Sequence, residues 1–280
     1  MVTSIGLGAM PMSMAPLVDE AQAIRTIHAA LDAGVNLIDT ADAYCLDGTQ
    51  VGHNERLIAK ALATWSGDSS RIVVATKGGH TRLRDGSWGL NGRPEYLLAA
   101  CEASLKALGV EAIDLYQFHR PDPSVPYEES LGALAKLLEQ GKIRMAGISN
   151  ASVEQIELAS ALLPIASVQN EFSPGFRSSL AELHYCDSRG IAFLPWSPLG
   201  GVGRAPELGG RHGAFQAVAQ ERGVSPQQVA LAWELAQAPV VIPIPGASRP
   251  QSIIDSVGAA SLVLSEEELG LLDQEIGEQP

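Results

Sequence analysis

Short apolar runs alternate with longer amphipathic runs along the whole chain, and this alternation limits the possible folds more than any other feature. The strand-like runs lie near residues 4–9, 35–39, 71–76, 112–118, 143–148, 165–168, 191–195 and 240–243. The helical runs lie near 19–33, 53–66, 94–108, 126–140, 152–162, 177–189, 214–222 with 226–237, and 250–258 with 265–275. Eight strand–helix pairs in 280 residues predict a single α/β domain over residues 1–280, a (β/α)8 TIM barrel.

A doubly wound parallel sheet is the structural alternative. That fold usually carries its phosphate-binding glycines directly after the first strand. Here the first strand runs into Gly6, Gly8 and then Pro11, so the third glycine of such a loop is missing. The barrel is therefore favoured, and no linker or break in composition indicates a second domain.

Composition and charge narrow the classes of partner. Apolar residues make up 46% of the chain, but no run is long enough to predict a membrane span, and the N-terminus does not resemble an export signal. The three scattered cysteines suit a reducing, cytoplasmic compartment, and no Cys or His spacing predicts a metal site.

A net charge of −13 opposes binding to nucleic acid or anionic membranes. An anionic cofactor would therefore need specific Arg or Lys side chains, backbone amides or helix N-termini.

Four polar residues lie at or just past the ends of predicted strands. Asp39, Lys77 and His119 end the second, third and fourth strands, and Tyr44 follows the second strand by five residues. The carboxyl ends of the strands form one mouth of a TIM barrel, so these side chains should meet there. We expect Tyr44 to act as a proton donor whose pKa is lowered by Lys77, with Asp39 holding Lys77 charged and His119 orienting a carbonyl oxygen. Because no Ser or Cys nucleophile is evident, hydride from a bound cofactor is the expected attacking group.

Several segments together resemble the aldo-keto reductase superfamily. They are residues 37–44 (LIDTADAY) followed by Asn54 and Glu55, then 114–119 (DLYQFH), 141–150 (GKIRMAGISN), 169–173 (QNEFS), 195–200 (PWSPLG) and 244–249 (IPGASR). The resemblance covers nearly the whole chain. It implies a TIM barrel that reduces aldehydes and ketones reversibly with NADPH or NADH, acting on a small-molecule carbonyl substrate. It also implies that Tyr44 is the general acid and that Asp39, Lys77 and His119 complete a tetrad.

The same resemblance implies a set of cofactor-binding residues. Those matched to the nicotinamide end are Ser149, Asn150 and Gln169 for the carboxamide and Trp196 for stacking on the ring. Those matched to the phosphates are Ser197, Leu199 and Gly201 for the pyrophosphate, and Gly246, Ser248 and Arg249 for the adenosine phosphate. The fixed positive fork of Arg249 favours NADP, with NAD as the second option.

The chain also departs from the family pattern. The usual Gln at position 252 and the usual Glu-Asn pair at 255–256 are absent, so Gln251 and Asp255 are the candidates to replace them at the adenine and ribose. The family's N-terminal hairpin is expected to be missing, and the short tail predicts an open pocket. Trp88, in a glycine-containing loop, is expected to wall that pocket, and the glycine-rich segment 200–211 to clasp the cofactor.

Two other functions remain open from the sequence. One is a nucleotide-binding, redox-sensing regulatory subunit with negligible turnover. The other is an aldolase or isomerase that uses Lys77 as a Schiff-base amine, which would require Lys77 to be neutral despite the nearby Asp39. The chain is expected to be a monomer or a small homo-oligomer.

Overall fold

The computed structural model describes residues 2–14, 16, 18–201 and 203–277; the predicted domain limits and the predicted clasp segment extend beyond this part at residues 1, 202 and 278–280. The strands are β1 (Leu7–Gly8), β2 (Leu37–Asp39), β3 (Val73–Gly78), β4 (His80–Arg82), β5 (Trp88–Leu90), β6 (Ile113–Phe118), β7 (Ile143–Ser149), β8 (Ile165–Gln169) and β9 (Ala192–Phe193). All of them except β4 and β5 form one parallel sheet in the order β1-β2-β3-β6-β7-β8-β9. Residues 2–6, which lead into β1, contain no hairpin.

The segment 240–246 joins the two edges of this sheet. On one side, the amide of Ile242 donates to the carbonyl of Phe193, and on the other, the amide of Gly6 donates to the carbonyl of Pro243. Isolated parallel bridges link Val241 to β9 and Gly246 to β1. Pro243 and Pro245 have no N–H group, so this segment cannot form a regular ladder. The eighth strand predicted near 240–243 therefore exists as an irregular strand that closes the (β/α)8 barrel, and the predicted fold is confirmed.

The helices pack around the outside of the barrel. They are α1 (Glu20–Asp32), α2 (His53–Thr64), α3 (Pro94–Leu108), α4 (Tyr127–Glu139), α5 (Val153–Leu162), α6 (Leu180–Arg189), α7 (Leu208–Arg211), α8 (Gly213–Arg222), α9 (Pro226–Gln237), α10 (Pro250–Gly258) and α11 (Glu266–Gly277). Their apolar faces meet the outer face of the sheet in one large core. Gly109 and Gly190 end α3 and α6 with φ of 69° and 67°, a backbone conformation that favours glycine. None of the described helices is long and apolar enough to cross a bilayer.

A smaller apolar cluster fills the inside of the barrel. It contains Leu37, Ala75 and Leu115 with Leu194 and Ile244. Side chains in a strand alternate between its two faces, so the residues two positions further along β2, β3 and β6 also point inward. Those residues are Asp39, Lys77 and Gln117. An apolar layer is thus followed by a polar layer at the carboxyl end of the barrel, and this polar layer is the floor of the candidate site.

One predicted loop has regular structure. Residues 80–90, expected to be a loop after the third strand, form an antiparallel hairpin of β4 and β5. Its strands are partly or fully exposed, so they lack the apolar alternation that reveals a strand in a sequence. The hairpin rises from the end of β3 at the mouth of the barrel.

Candidate active site

Lys77 lies at the centre of the polar layer and is completely buried. Its ammonium donates hydrogen bonds to Asp39 Oδ1 at 2.6 Å, to the carbonyl oxygen of Thr40 at 2.8 Å and to the Tyr44 hydroxyl oxygen at 3.0 Å. Burial alone lowers the pKa of Lys77, but the carboxylate and the phenol oxygen outweigh it, and the pKa is raised. Lys77 is therefore held as an ammonium with all three donors occupied, which disfavours the Schiff-base alternative.

Tyr44 is buried as well, and its hydroxyl lies beside the Lys77 ammonium. The sequence predicted a lowered pKa for this phenol. That direction is wrong, because burial raises the pKa of Tyr44 more than Lys77 lowers it, and the carboxylates of Asp39 and Asp42 raise it further. The phenol therefore keeps its proton near neutral pH, as a proton donor must, while Lys77 remains in place to stabilise the phenolate once the proton has left.

His119 lies beside Tyr44 at the end of β6, with ring centroids 5.8 Å apart and the rings nearly perpendicular. Burial, with the charge of Lys77 and the neighbouring His80 and Arg120, lowers the pKa of His119 well below its usual range. Its Nδ1 is buried without a hydrogen-bond partner. A neutral imidazole thus remains, and Nε2 is the ring nitrogen available to the space above Tyr44.

Asp39 connects this tetrad to side chains on β6 and β8. Its Oδ2 accepts hydrogen bonds from Gln169 Nε2 at 2.8 Å and from Gln117 Nε2 at 3.4 Å. The backbone carbonyl of Gln169 accepts from Ser149 Oγ at 2.7 Å, and Asn150 Nδ2 donates to Ser149 Oγ at 3.0 Å. A continuous network therefore joins the tetrad to Ser149, Asn150 and Gln169, the residues matched to the carboxamide.

An open cleft of about 480 Å³ lies over this polar layer. It is lined by Gly8, Met10, Pro11, Asp39, Tyr44, His80, Trp88, His119, Arg120, Ser149, Asn150, Gln169, Trp196, Ser197, Pro198, Leu199, Gly201, Gly203, Ala205, Pro206, Ile244, Gly246, Ala247, Ser248, Arg249 and Ser252. The cleft thus brings together thirteen predicted site residues, with Lys77 directly beneath it. Gln251 and Asp255 do not line it.

Close backbone packing shapes one edge of the cleft. A Cβ atom on Gly8 would lie 2.7 Å from the carbonyl oxygen of Ile244, and one on Gly246 would lie 2.8 Å from the ring of Pro11. Ser197 has a φ of 54°, which costs a non-glycine residue conformational energy. Trp196 Nε1 is buried without a partner. The two glycines thus permit close contact between β1 and the segment 240–246, and the unpartnered Trp196 N–H is consistent with a ligand that completes the site.

Asp255 and Gln251 have other surroundings. Both carboxylate oxygens of Asp255 accept hydrogen bonds at 2.7 Å, from Ser225 Oγ and Gln228 Nε2 at the start of α9. Asp255 thus joins α10 to α9. Gln251 is exposed on α10, whereas Ser252, one residue further on, lines the cleft at the N-terminal turn of this helix.

The hairpin supplies one wall of the cleft. Trp88 stacks on His80 with ring centroids 4.3 Å apart, and the Arg82 guanidinium lies 4.1 Å from the Trp88 ring centre on its face. His80 in turn meets His119 edge-on at 5.0 Å. Trp88 therefore does wall the pocket, but as part of an ordered stack.

Four residues of the site were not predicted from the sequence: Gln117, His80, Arg120 and Ser252. Gln117 could have been found by counting two residues on from the apolar Leu115, since the alternation places it in the inner polar layer. Arg120 directly follows His119 and could have been considered as a cleft residue for that reason. Nothing in the sequence places His80 in the wall, because its position depends on the unpredicted hairpin.

The described residues contain no group of three or more His, Cys, Asp or Glu side chains arranged to hold a metal ion.

Comparison with known proteins agrees with this geometry. Residues 4–276 match the Aldo/keto reductase family, and the chain belongs to this family. An uncharacterized oxidoreductase of Schizosaccharomyces pombe is 36% identical over 280 residues, covering 98% of this chain and 87% of the relative.

Solved structures extend the agreement to the fold. A glycerol dehydrogenase from Gluconobacter oxydans superposes with a TM-score of 0.83 at 29% identity, covering 100% of this chain and 94% of the other. An aldo/keto reductase from Klebsiella pneumoniae, solved with NADP and acetate, superposes with a TM-score of 0.80 at 27% identity, covering 98% and 91%. The chain is thus an oxidoreductase of the aldo/keto reductase family.

Proposed function

We propose that this protein is an NADP(H)-dependent carbonyl reductase that converts aldehydes or ketones to alcohols, and the reverse, with Tyr44 as the general acid. The observation that carries the proposal is the position of the Tyr44 hydroxyl, 3.0 Å from a buried ammonium that is itself 2.6 Å from Asp39. This arrangement donates a proton to an oxygen in the cleft and stabilises the phenolate that remains.

NADP(H) is the cofactor, in line with the relatives solved with NADP and with NADPH. Ser149, Asn150 and Gln169 would hold the nicotinamide carboxamide, and Trp196 would stack on the ring. The residues that would hold the phosphates are Ser197, Leu199, Gly201, Gly246, Ser248 and Arg249. Ser252, which also lines the cleft, would be a further phosphate contact. Arg249 occupies the N-cap position of α10, where the helix dipole also favours an anion.

The bound cofactor supplies hydride to the carbonyl carbon. The protein's own residues handle the proton. The Tyr44 O–H donates to the carbonyl oxygen, and the neutral His119 ring donates a second hydrogen bond from Nε2 that fixes the carbonyl's direction. Lys77 stays charged throughout, because Asp39 and the Thr40 carbonyl keep their hydrogen bonds to it. In alcohol oxidation the same groups act in reverse.

The direct test measures NADPH consumption with a panel of aldehydes and ketones, with NADH alongside. The Tyr44→Phe variant keeps the ring but loses the proton donor, so turnover should fall by about 100- to 10,000-fold. NADPH affinity, measured by fluorescence titration, should change little. Normal turnover of Tyr44→Phe would overturn the assignment of the acid. Tight NADPH binding by the wild type without turnover of any carbonyl would favour the redox-sensing regulatory alternative.

A further inference from the structure

Arg120 is a cation in the cleft whose charge the cofactor assignment does not use. It follows His119 directly and lines the cleft in a half-buried position. Its Nη2 donates one hydrogen bond, to Asn150 Oδ1 at 3.2 Å. In the part of the chain that the structure describes, no carboxylate forms an ion pair with it. Arg120 is thus oriented by Asn150 but is not neutralised.

The cleft is positively charged in a protein of net charge −13. Asp39 is the one carboxylate among the lining residues, and its two oxygens are occupied by Lys77 and Gln169. The two lining histidines stay neutral near pH 7, because burial and neighbouring cations lower their pKa values, that of His80 to about 4. The free charge that a ligand meets in the cleft therefore comes from Arg120 and Arg249.

These two arginines lie on opposite sides of the barrel. Arg120 follows β6, the fourth strand around the barrel, and Arg249 follows the segment 240–246, the eighth. The phosphates of a dinucleotide would lie at Arg249, beside Ser248 and Ser252 at the start of α10. Arg120 lies instead beside His119 and Asn150, where the carbonyl is reduced.

We propose that Arg120 binds a carboxylate on the substrate, so that the preferred substrates are oxo acids, carbonyl compounds that carry a carboxylate, rather than neutral aldehydes. This inference rests on the proposed function. A guanidinium has five N–H donors in a planar fork, and one of them is used here. Because Nε is enclosed and has no partner, the Nη groups are the donors that can reach the cleft. Two parallel hydrogen bonds from this edge to a carboxylate are the strong, orienting contact that arginine makes.

Glu171 is the competing carboxylate. The charge of Arg120 acts on it, although burial dominates and raises the pKa of Glu171. It forms no ion pair with Arg120 and does not line the cleft. Removing its charge by Glu171→Gln should therefore leave recognition of a carboxylate substrate unchanged or stronger.

The test compares each acid with its neutral methyl ester on the same enzyme, using succinate semialdehyde and para-formylbenzoate. The measured quantity is the ratio of kcat/KM for the acid to kcat/KM for the ester, in which any effect on NADPH binding or on Asn150 cancels. We expect a ratio well above one for the wild type with at least one pair. Arg120→Gln should lower it by about 10- to 100-fold, mainly through the KM of the acid, the factor expected for a lost hydrogen bond to a charged group. Arg120→Lys, which keeps the charge but not the fork, should give an intermediate ratio.

Arg249→Gln is the matched control, since it removes the same charge on the other side of the cleft. It should raise the KM for NADPH and leave the acid-to-ester ratio unchanged. A wild-type ratio near or below one for both pairs, an unchanged ratio in Arg120→Gln, or an equal fall in Arg249→Gln would each overturn the inference.

A binding measurement separates this inference from the proposed function. Tyr44→Phe saturated with NADP+ is titrated calorimetrically with para-formylbenzoate, which requires no turnover. Binding is expected, and it should be lost in the Tyr44→Phe/Arg120→Gln double variant, with circular dichroism confirming that both proteins are folded. Absence of binding in the single variant, or equal binding in the two, would overturn the role of Arg120 even if no carbonyl were ever reduced.

Discussion

Glu234 is a buried carboxyl group whose titration should make the stability of this protein depend on pH. It lies in α9, completely buried, and neither carboxylate oxygen has a hydrogen-bond partner. Burial is the cause that raises its pKa well above the usual value of 4.5. It does not line the cleft. The native state therefore holds a proton on Glu234 over a pH range in which the unfolded chain releases it.

The sign and size of the effect follow from this difference in bound protons. Below about pH 4.5 both states hold the proton, and Glu234 adds no pH dependence. Above it the native state binds one proton more, so the free energy of unfolding falls by about 1.4 kcal/mol per pH unit until the pH reaches the native pKa. Glu234→Gln is nearly isosteric and cannot ionise. It should therefore match the wild type in acid and become more stable than it by about 1.4 kcal/mol for each unit of rising pH.

Urea unfolding of both proteins between about pH 5 and about pH 7 measures this slope. Glu157→Gln is the matched control, because Glu157 is exposed in the middle of α5 and its replacement should shift stability by less than about 0.5 kcal/mol at every pH. A stability difference between Glu234→Gln and wild type that does not change with pH would refute the reasoning. It would mean that Glu234 is ionised or partnered in the native protein.

The remaining predictions concern the site and its supports. Lys77→Met leaves Asp39 buried and without its cation, so unfolding should become easier by about 3–5 kcal/mol, measured by urea titration, in addition to a loss of NADPH turnover. A Cβ atom on Gly78 would overlap the Tyr116 hydroxyl, so Gly78→Ala should cost about 1–3 kcal/mol, and the added Tyr116→Phe should recover part of that cost in a double-mutant cycle. Asp255→Ala should lower the melting temperature while leaving the KM for NADPH nearly unchanged; a large rise in that KM would restore Asp255 as a cofactor ligand.

The barrel could be predicted because its strands and helices are both visible as patterns in the sequence. Each buried strand is an apolar run, and parallel strands separated by helices place their carboxyl ends at one mouth. That topology alone predicts that Asp39, Lys77 and His119 lie close together, since each lies at or next to the end of a strand. The eighth strand was also located, although its prolines reduce it to isolated bridges.

Other features depend on contacts that no local pattern records. The β4–β5 hairpin is held at the mouth by contacts with distant residues, since Arg82 Nε donates to the carbonyl oxygen of Cys45 and His80 meets His119 edge-on. Asp255 was matched to the cofactor by position, but the packing of α10 against the start of α9 turns its carboxylate toward Ser225. Such tertiary contacts decide what a polar residue does, and they can be assigned only when both partners are seen.

The shift of the Tyr44 pKa is a second property that the sequence could not predict. A lysine beside a tyrosine can be inferred from strand ends, and its charge does lower the pKa of the phenol. Depth of burial cannot be inferred in the same way, and it is the larger effect here. The sign of a shift set by two opposing causes thus needs the structure even when both groups are correctly identified.

Asp39 links the two parts of the site, because its carboxylate contacts both Lys77 and Gln169. One oxygen holds Lys77, and the other holds Gln169, which would contact the nicotinamide carboxamide. In the proposed mechanism, a single buried carboxylate would therefore position both the proton donor, through Lys77, and a group that orients the hydride donor. Because Asp39 contacts both Lys77 and Gln169, a shift of Asp39 would change two distances at once. One is the distance from the Tyr44 hydroxyl to the carbonyl oxygen, and the other is the distance from the hydride donor to the carbonyl carbon. Strands that rest on the apolar layer of the barrel would give such a site a rigid floor, which would keep both distances constant.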